Sequence, residues 1–252
     1  MRSNTIRVKF YKILLASSIL MALSCSTQSY QVDRYHYTQN QVVDERVADD
    51  QLITDMIVPY KQEMDRQMNK VISYTPVNLT KNGFECSLCN LTADLTLDYI
   101  TKHFEGQGEK FRADAIVLNY GGLRRSFSKG DLTIGNVYEL SPFENEMMIL
   151  TLPGAAVQEM IEFLYTQNVG HPIANMQINS LQDVVINGEK FDPNKTYKFV
   201  TNDYLYNGGD KMYFFAKATD AVMLNLRLRD LLLEQFQKYK TLNVDEKPRI
   251  VK

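Results

Sequence analysis

Helical and strand patterns alternate along this chain, and the alternation limits its fold more than any other feature. Apolar residues have helical spacing over 87–104, 154–165 and 224–239, whereas strand patterns cover 115–118, 146–152, 184–186 and 197–201. Interleaved patterns of this kind predict a domain of mixed α and β structure. The length of 252 residues is enough for one large domain or two small ones with a substantial core.

A further helical pattern covers residues 45–70 and is rich in methionine. Pro59 lies within it and predicts a kink or a new helix start, because proline lacks the amide hydrogen that a helix interior needs. We expect the apolar stripe to pack on the rest of the domain, with a binding surface as the alternative. The stripe consists of Ile53, Met56, Ile57, Tyr60, Met64 and Met68.

The N-terminal segment has the pattern of a secretory signal. Four basic residues and no acidic one accompany an apolar run from Ile13 to Leu23, which is short for a membrane span. Small residues directly before Cys25 resemble a bacterial lipobox. We expect cleavage before Cys25 and lipidation of its thiol, with an ordinary cleaved signal as the alternative. The predicted organisation is a signal peptide over 1–24, a polar tether over 25–45 and a folded domain over 46–252.

The expected mature chain has a different net charge from the full chain, because the predicted signal peptide is basic. The full chain has a net charge of −2. Residues 1–24 hold four of its 28 basic residues and none of its 30 acidic ones, so 24 basic and 30 acidic residues remain, a net charge of −6. A domain with this charge has no overall field that attracts phosphate or a nucleic-acid polymer. The expected location is the cell envelope, with a lipid anchor at the periplasmic face or the outer surface.

Three polar loops adjoin predicted strands and carry the candidate functional residues. The first runs from Asn119 to Arg124, where two glycines let the backbone approach a ligand and the arginine offers a planar fork to phosphate or carboxylate. Taken alone, this loop is more simply a structural turn with a surface arginine. The interpretation therefore depends on the other two loops.

The second and third loops combine an aromatic ring with hydrogen-bonding groups. Pro142 makes the second loop stiff, so Phe143 can stack on a flat ring while Asn145 contacts its polar edge. In the third loop, Tyr204 precedes a Gly-Gly turn, and Asp210 can accept hydrogen bonds from sugar hydroxyls. The alternatives are a Phe143 that fills the core and a tight turn with Tyr204 packed inward.

Together, the three loops resemble the C-terminal, substrate-binding domain of the 5′-nucleotidase and UDP-sugar hydrolase family. The family pattern is N-G-G-G-I-R, then P-F-G-N, then N-D-F-x-x-x-G-G-D-G-(F/Y). This chain has NYGGLR at 119–124, PFEN at 142–145 and NDYLYNGGDKM at 202–212. The resemblance extends over roughly residues 70–250 and implies an α+β class, with the layered α/β/β/α 5′-nucleotidase C-terminal-domain fold and mixed sheets.

At the base and sugar end, the resemblance implies that a nucleobase lies between the rings of Phe143 and Tyr204. Stacking of this kind contributes about 1–3 kcal/mol per base. Asn145 is then expected to contact the base and Asp210 the ribose hydroxyls. Lys211 replaces a family glycine directly after that aspartate, and its direction is open.

At the phosphate end, the resemblance implies that Arg124 contacts the substrate phosphate and that Asn119 helps to bind the substrate. Three departures weaken this end of the site. Phe84 stands where many members have a second phosphate-binding arginine, Tyr120 replaces a glycine, and Glu144 adds a negative charge in place of a glycine.

Cys86 and Cys89 form a C-x-x-C at the start of a predicted helix. Such a position can lower a thiol pKa and support redox chemistry. The favoured interpretation is a disulfide or two packed thiols, since the surrounding sequence is not thioredoxin-like. A zinc site would need two further ligands, which the spacing of the histidines does not supply.

The chemistry of the resembled family belongs to a metallophosphoesterase domain that holds two metal ions in D-x-H, G-N-H-(E/D) and H-containing motifs. None of these motifs occurs in this sequence. We therefore predict no catalytic residue, metal site or cofactor in this chain, and two divalent metals only in a separate metallophosphoesterase. The favoured hypothesis is a nucleoside- or nucleotide-binding domain that completes a 5′-nucleotidase with that partner. The alternative is a stand-alone surface nucleoside-binding or structural lipoprotein without a catalytic role.

Overall fold

The computed structural model describes residues 40, 42–84 and 86–252. Contacts divide the chain into two units, Met1–Asp50 and Gln51–Lys252, and the second unit holds the elements below. The predicted signal peptide, Cys25 and all but the last few tether residues lie outside the described residues. No helix in the described part of the chain combines the length and apolar character that crossing a bilayer requires.

The elements of the second unit alternate as predicted. The helices are α1 (Gln51–Met68), α2 (Ser87–His103), α3 (Ile134–Leu140), α4 (Gly154–Thr166), α5 (Asp203–Tyr206) and α6 (Leu228–Lys238). The strands are β1 (Val71–Thr75), β2 (Ala115–Val117), β3 (Gly130–Thr133), β4 (Glu146–Pro153), β5 (Ile173–Ala174), β6 (Met176–Ser180), β7 (Asp183–Ile186), β8 (Glu189–Lys190), β9 (Thr196–Asn202) and β10 (Asp220–Arg227). Short 3₁₀ turns follow β2 and α5.

The central sheet has five strands in the order β10-β4-β9-β2-β5. β4 runs antiparallel to both β9 and β10, whereas β2 runs parallel to β9. The described strands also form a two-stranded sheet, β1-β3, and a three-stranded sheet, β6-β7-β8. Helices combined with sheets of mixed direction confirm the predicted α+β class.

Both faces of the central sheet are covered, as the side chains of β2 show. Successive strand residues point to opposite faces. Ile116 belongs to a core that includes α2 and α6, whereas Ala115 and Val117 belong to a second core with α4, β6 and β7. Burial on both faces explains why β2 and β4 are continuous apolar runs.

Helix α1 is confirmed as helical and continues without a break through Pro59. The expectation that its methionine stripe packs on the domain is wrong, because none of its residues is buried and Met56 is 66% exposed. The chain joins the domain just after the helix, where the carbonyl of Lys70 accepts a 3.1 Å hydrogen bond from the N–H of Ile134.

The first turn of α2 contains the C-x-x-C pair. Cys86 and Cys89 form a disulfide, and both residues are buried. This is one of the two interpretations favoured by the sequence. Ser87 anchors the preceding segment, because its Oγ accepts a 2.9 Å hydrogen bond from the N–H of Thr80.

Asn187 and Gly188 form the turn between β7 and β8. Both residues are in the left-handed region, with φ of 52° and 77°, as a type I′ hairpin requires.

The predicted start of the last helix is wrong. Residues 224–227 form the end of β10, and α6 begins at Leu228. Arg227 lies opposite Glu146 of β4 in the strand register, and Leu224 is buried in the core beside α6. Pairing with a neighbouring strand therefore overrides the helical spacing of this segment.

Candidate ligand-binding cleft

The topology brings the three predicted loops to one edge of the central sheet. The first loop follows β2 and the third follows β9, and these strands are parallel neighbours. Because carboxyl ends of parallel strands meet at one edge, the two loops lie side by side. The second loop precedes β4, which is antiparallel to β9, so the start of β4 lies at the same edge.

A cleft of about 320 Å³ opens between these loops. The structure brings all six residues predicted to bind substrate into its wall. The lining consists of Asn119, Gly121, Arg124, Phe143, Asn145, Tyr204 and Asp210. A larger cleft, of about 540 Å³, lies between the C-terminal half of α2 and residues 105–113 and contains none of the six.

The loop after β2 is built around the side chain of Asn119. This side chain is buried, and its Oδ1 accepts a 3.2 Å hydrogen bond from Nδ2 of Asn202 at the end of β9. A Cβ on Gly122 would lie 2.9 Å from the same oxygen, so only glycine leaves room for the folded asparagine. The bond between the two asparagines joins the first loop to the third.

Arg124 places a cation at the mouth of the cleft. Its exposed guanidinium donates a 3.3 Å hydrogen bond to the carbonyl of Gly121 and lies 5.9 Å from the centre of the Phe143 ring. The next residue, Arg125, is instead ion-paired with Glu139. In the described part of the chain, no carboxylate is ion-paired with Arg124, so its charge is available to an anion.

Two half-exposed aromatic rings face the cleft from different loops. Phe143 is 44% exposed and Tyr204 is 41% exposed, so neither ring fills the core as the alternative interpretations proposed. The Tyr204 hydroxyl donates a 2.7 Å hydrogen bond to Oδ1 of Asp210, and this bond raises the pKa of the Tyr204 phenol. A Cβ on Gly209 would lie 2.5 Å from the Tyr204 ring, so this glycine permits the ring to approach the backbone closely.

Asp203 joins the second and third loops, and its importance was not predicted. Its Oδ1 accepts hydrogen bonds from Nδ2 of Asn145 and from the backbone N–H of Glu146, both 3.2 Å, and from the N–H of Tyr204, 2.8 Å. Asn202, just before it, caps α5 by accepting from the N–H of Leu205. The Asn-Asp pair after a strand is a helix-start signal that could have identified this junction.

Glu144 does not place a negative charge in the cleft, contrary to the concern raised by the sequence. Its carboxylate pairs with Arg229 and, at 2.9 Å, with Arg227, and the hydrogen bond from Arg229 lowers the pKa of Glu144. The guanidinium of Arg229 also lies 4.7 Å from the centre of the Tyr138 ring. The carboxylate is therefore turned towards cations outside the cleft lining.

The position of the missing family arginine is occupied by a packed ring. Phe84 packs against the second core, and the ammonium of Lys252 lies 4.4 Å from its ring centre. Lys252 donates to the carbonyl of Gln167, and the exposed Lys211 does not line the cleft.

Tyr120 points away from the cleft. Its hydroxyl donates a 2.7 Å hydrogen bond to the carbonyl of Lys81, and its backbone N–H lies 3.2 Å from Nδ1 of the buried His171. Burial lowers the pKa of His171. The replacement of glycine by Tyr120 thus ties the loop to neighbouring segments and leaves the space between Phe143 and Tyr204 open.

Metal-ligating side chains are not grouped in the described part of the chain, which holds no cluster of three or more His, Cys, Asp or Glu residues suited to an ion. The residues that line the cleft offer stacking, hydrogen bonding and attraction of an anion. These interactions suit a flat ring that carries polar edges and a negative group.

Comparison with known proteins gives a consistent family. The sequence model for "5′-nucleotidase, C-terminal domain" matches residues 70–217. The trifunctional nucleotide phosphoesterase protein YfkN of Bacillus subtilis is 26% identical over 78% of this chain and 15% of its own length. Protein UshA of Yersinia enterocolitica is 25% identical over 71% of this chain and 32% of its own length.

A solved structure shares the fold. The 5′-nucleotidase precursor from Thermus thermophilus aligns with a TM-score of 0.63 at 20% identity, over 79% of this chain and 43% of its own length. This chain therefore spans less than half of each of these three proteins.

Proposed function

Because the chain belongs to the 5′-nucleotidase C-terminal domain family, we propose that its cleft binds the nucleoside part of a nucleotide between Phe143 and Tyr204. The observation that carries this proposal is the pair of half-exposed rings on two different loops, with Asn145 and Asp210 in the same wall. When a base lies between the rings, Asn145 can contact its polar edge. Asp210 can accept hydrogen bonds from the hydroxyls of the attached ribose. Arg124 then accounts for a phosphate at the mouth.

The open cleft also favours this function over a purely structural role. A cleft filled between the two rings would favour a structural lipoprotein that had lost its ligand. Tyr120 and Glu144 are the two bulky replacements that could fill it, but Tyr120 bonds to Lys81 and Glu144 pairs with arginines.

Titration calorimetry of the purified full chain in detergent tests the binding proposal. A panel of nucleosides and their 5′-monophosphates should contain at least one ligand. Phe143→Ala and Tyr204→Ala should each weaken its binding about tenfold or more, since stacking contributes about 1–3 kcal/mol per base. Tyr60→Ala, which removes a 79% exposed ring on α1, is the matched control and should leave affinity unchanged. Equal affinities for all four proteins would contradict the proposal.

We further propose that this domain supplies substrate to a separate metallophosphoesterase and is inactive alone. The described residues offer a binding cleft without a group of metal ligands, whereas hydrolysis of a phosphomonoester in this family needs two metal ions. The neighbouring gene is the first place to look for that enzyme. Phosphate release from a nucleotide should require both proteins, and metal-dependent release by this chain alone would contradict the proposal.

For location, we propose a lipid anchor on Cys25 that holds the domain at the cell envelope. The basic segment, the short apolar run and the small residues before the cysteine support it. Cells grown with an alkyne fatty acid should label the wild-type protein. Cys25→Ser should abolish the label, and a labelled serine variant would contradict the anchor.

A further inference from the structure

Residues 142–145 form the loop that presents one of the two half-exposed rings, and the junction between β10 and α6 holds this loop. The N–H of Leu228 donates a 3.2 Å hydrogen bond to the carbonyl of Asn145. The guanidinium of Arg227 lies 2.9 Å from the carboxylate of Glu144. Both contacts bind the second half of the loop to the junction.

Arg229, in the first turn of α6, bridges the two sides of the ring-bearing residue. Its Nη1 donates a 3.3 Å hydrogen bond to the carbonyl of Pro142, and its Nη2 donates to the carboxylate of Glu144. These two acceptors belong to the residues directly before and after Phe143. One guanidinium therefore fixes the loop on both sides of the ring.

The guanidinium that makes this bridge is itself firmly held. Arg229 is only 8% exposed, and its guanidinium lies 4.7 Å from the centre of the Tyr138 ring on α3. The planar group presents its donors in a rigid fork, which a lysine ammonium does not. The bridge therefore connects the loop to two helices, α3 and α6.

The bridge fixes the backbone beside the ring without covering the ring. Phe143 lines the cleft, whereas Arg229 does not. A second anchor acts on the same loop, because Asp203 of α5 accepts a hydrogen bond from the Asn145 side chain. A ring on a loop that is already fixed loses little freedom when a ligand stacks on it, and such pre-organisation lowers the entropic cost of binding.

Neutralisation of Glu144 does not by itself account for Arg229. Arg227 already pairs with the same carboxylate from the end of β10. What Arg229 adds is the bond to the Pro142 carbonyl, which makes the contact a bridge across the ring-bearing residue. The resembled family pattern has a glycine at the position of Glu144, and a glycine has no side chain that could take part in such a bridge.

We propose that Arg229 is a positioning residue that fixes the Phe143 ring for stacking before a ligand arrives. The inference rests on the proposed nucleoside site and concerns a residue outside the lining of that site. Arg229 acts through residues 142–144 and does not contact the ligand. Its loss should therefore weaken binding although the stacking ring is still present.

Ring motion in the absence of ligand is the first test. The chain contains no tryptophan, so Phe143→Trp places a single indole at the stacking position. Time-resolved fluorescence anisotropy of this indole measures its fast local motion. Addition of Arg229→Met or Glu144→Ala should increase the amplitude of that motion. Arg249→Met is the matched control, because it removes a largely buried arginine that pairs with Asp94 outside the cleft lining, and it should leave the motion unchanged.

Nucleoside affinity is the second test, measured by calorimetry on full-length variants that retain Phe143. Arg229→Met should weaken nucleoside binding about threefold to tenfold, as expected when one more side chain must be ordered on binding. The loss should be smaller than that of Phe143→Ala, because the ring remains. Glu144→Gln keeps an acceptor for Arg229 and should lose less affinity than Glu144→Ala. Arg249→Met should bind like wild type.

The outcomes separate the inference from the proposed function. Unchanged ring motion after Arg229→Met would overturn the inference and leave the nucleoside site standing. Increased motion with wild-type affinity would also overturn it, since the bridge would then have no effect on binding. Equal effects of Arg229→Met and Arg249→Met would assign the result to lost stability and overturn it as well. A wild-type protein that binds no nucleoside overturns the proposed function, and the binding role of the bridge with it, whatever the anisotropy shows.

Discussion

The hydroxyl of Tyr204 donates a 2.7 Å hydrogen bond to Oδ1 of Asp210, and the backbone N–H of Asp210 donates back to that hydroxyl at 3.2 Å. The bonds link the proposed base-stacking ring to the proposed ribose acceptor. The phenylalanine of the resembled family pattern has no hydroxyl and cannot form them. The extra hydroxyl therefore holds the ring and the carboxylate in place before a ligand arrives.

Tyr204→Phe tests this link. The ring stays available for stacking, but the hydrogen bonds between its hydroxyl and Asp210 are lost. Nucleoside affinity should fall about fivefold, because a hydrogen bond contributes about 1 kcal/mol net. The loss should be smaller than that of Tyr204→Ala, which removes the ring as well. Titration calorimetry on both variants measures the difference, and a phenylalanine variant as weak as the alanine variant would contradict the stacking role.

Gly209 is expected to be essential for the position of the Tyr204 ring. Without any movement, a Cβ at this residue would lie 2.5–2.6 Å from three ring atoms, so Gly209→Ala must displace the ring or the turn. Nucleoside binding should fall about tenfold or more, comparable to loss of the stacked ring. Calorimetry measures the affinity.

Gly188→Ala provides the matched control for Gly209→Ala. Gly188 also has a constrained backbone, with φ of 77°, but a Cβ there meets no atom within 4 Å. This substitution should lower the free energy of unfolding by about 1–2 kcal/mol, the cost of a left-handed residue with a side chain. Its nucleoside affinity should equal that of wild type. Equal loss of affinity in both variants would indicate a general effect of destabilisation.

The position of the cleft could be predicted from the sequence because its determinants are local. Each loop adjoins a strand pattern, and the residue types at Asn119, Phe143 and Asp210 follow family order. The parallel pairing of β2 with β9 then needed only the usual geometry of a mixed sheet to bring two of the loops together. The same local pattern left open whether Phe143 and Tyr204 are exposed, and the structure shows both rings to be half-exposed.

The electrostatic surroundings of the cleft could not be predicted because they depend on distant pairing. Glu144 is neutralised by Arg227 and Arg229, which come near it through the register of β10 against β4. The apolar spacing from Leu224 onwards is helical, so the end of β10, residues 224–227, was predicted as helix.

Glu144→Gln should destabilise the domain in a pH-dependent way. Arg229 lowers the pKa of Glu144, so the folded state favours the ionised carboxylate and gains stability from it above the ordinary value of 4.5. At pH 7, the variant should unfold at lower denaturant concentration than wild type, because the buried Arg229 loses its charged partner. As pH falls below 4.5 and through the lowered pKa, Glu144 of the wild type becomes protonated. The difference in denaturation midpoint between wild type and variant should then shrink.

Glu139→Gln is the control for that measurement. Glu139 pairs with Arg125 at the surface, where side chains of both residues are about half exposed, whereas the Arg229 side chain is 9% exposed. Exposed pairs of this kind contribute about 0–1 kcal/mol. Glu139→Gln should therefore shift the denaturation midpoint less than Glu144→Gln at pH 7. A larger shift for Glu139→Gln would contradict the importance assigned to burial of Arg229.

Asp94 should give the opposite pH dependence, because burial outweighs its ion pair. Burial raises the pKa of Asp94 to about 6, although Arg249 contacts it at 2.8 Å and opposes the rise. The folded state thus binds the Asp94 proton more tightly than the unfolded state. The contribution of Asp94 to the free energy of unfolding is fully present below its ordinary pKa of 3.8. It is lost as pH rises through the folded-state pKa of about 6.

The unfolding free energy of wild type minus that of Asp94→Asn should therefore fall between pH 4 and pH 7. Denaturant titrations at intervals across this range measure it. Arg249→Met should move the midpoint of the fall to higher pH, because Arg249 favours the charged carboxylate. If the ion pair instead outweighed burial, the folded pKa would lie below the ordinary value and the difference would rise with pH. The sign of the slope therefore decides whether burial or Arg249 controls Asp94.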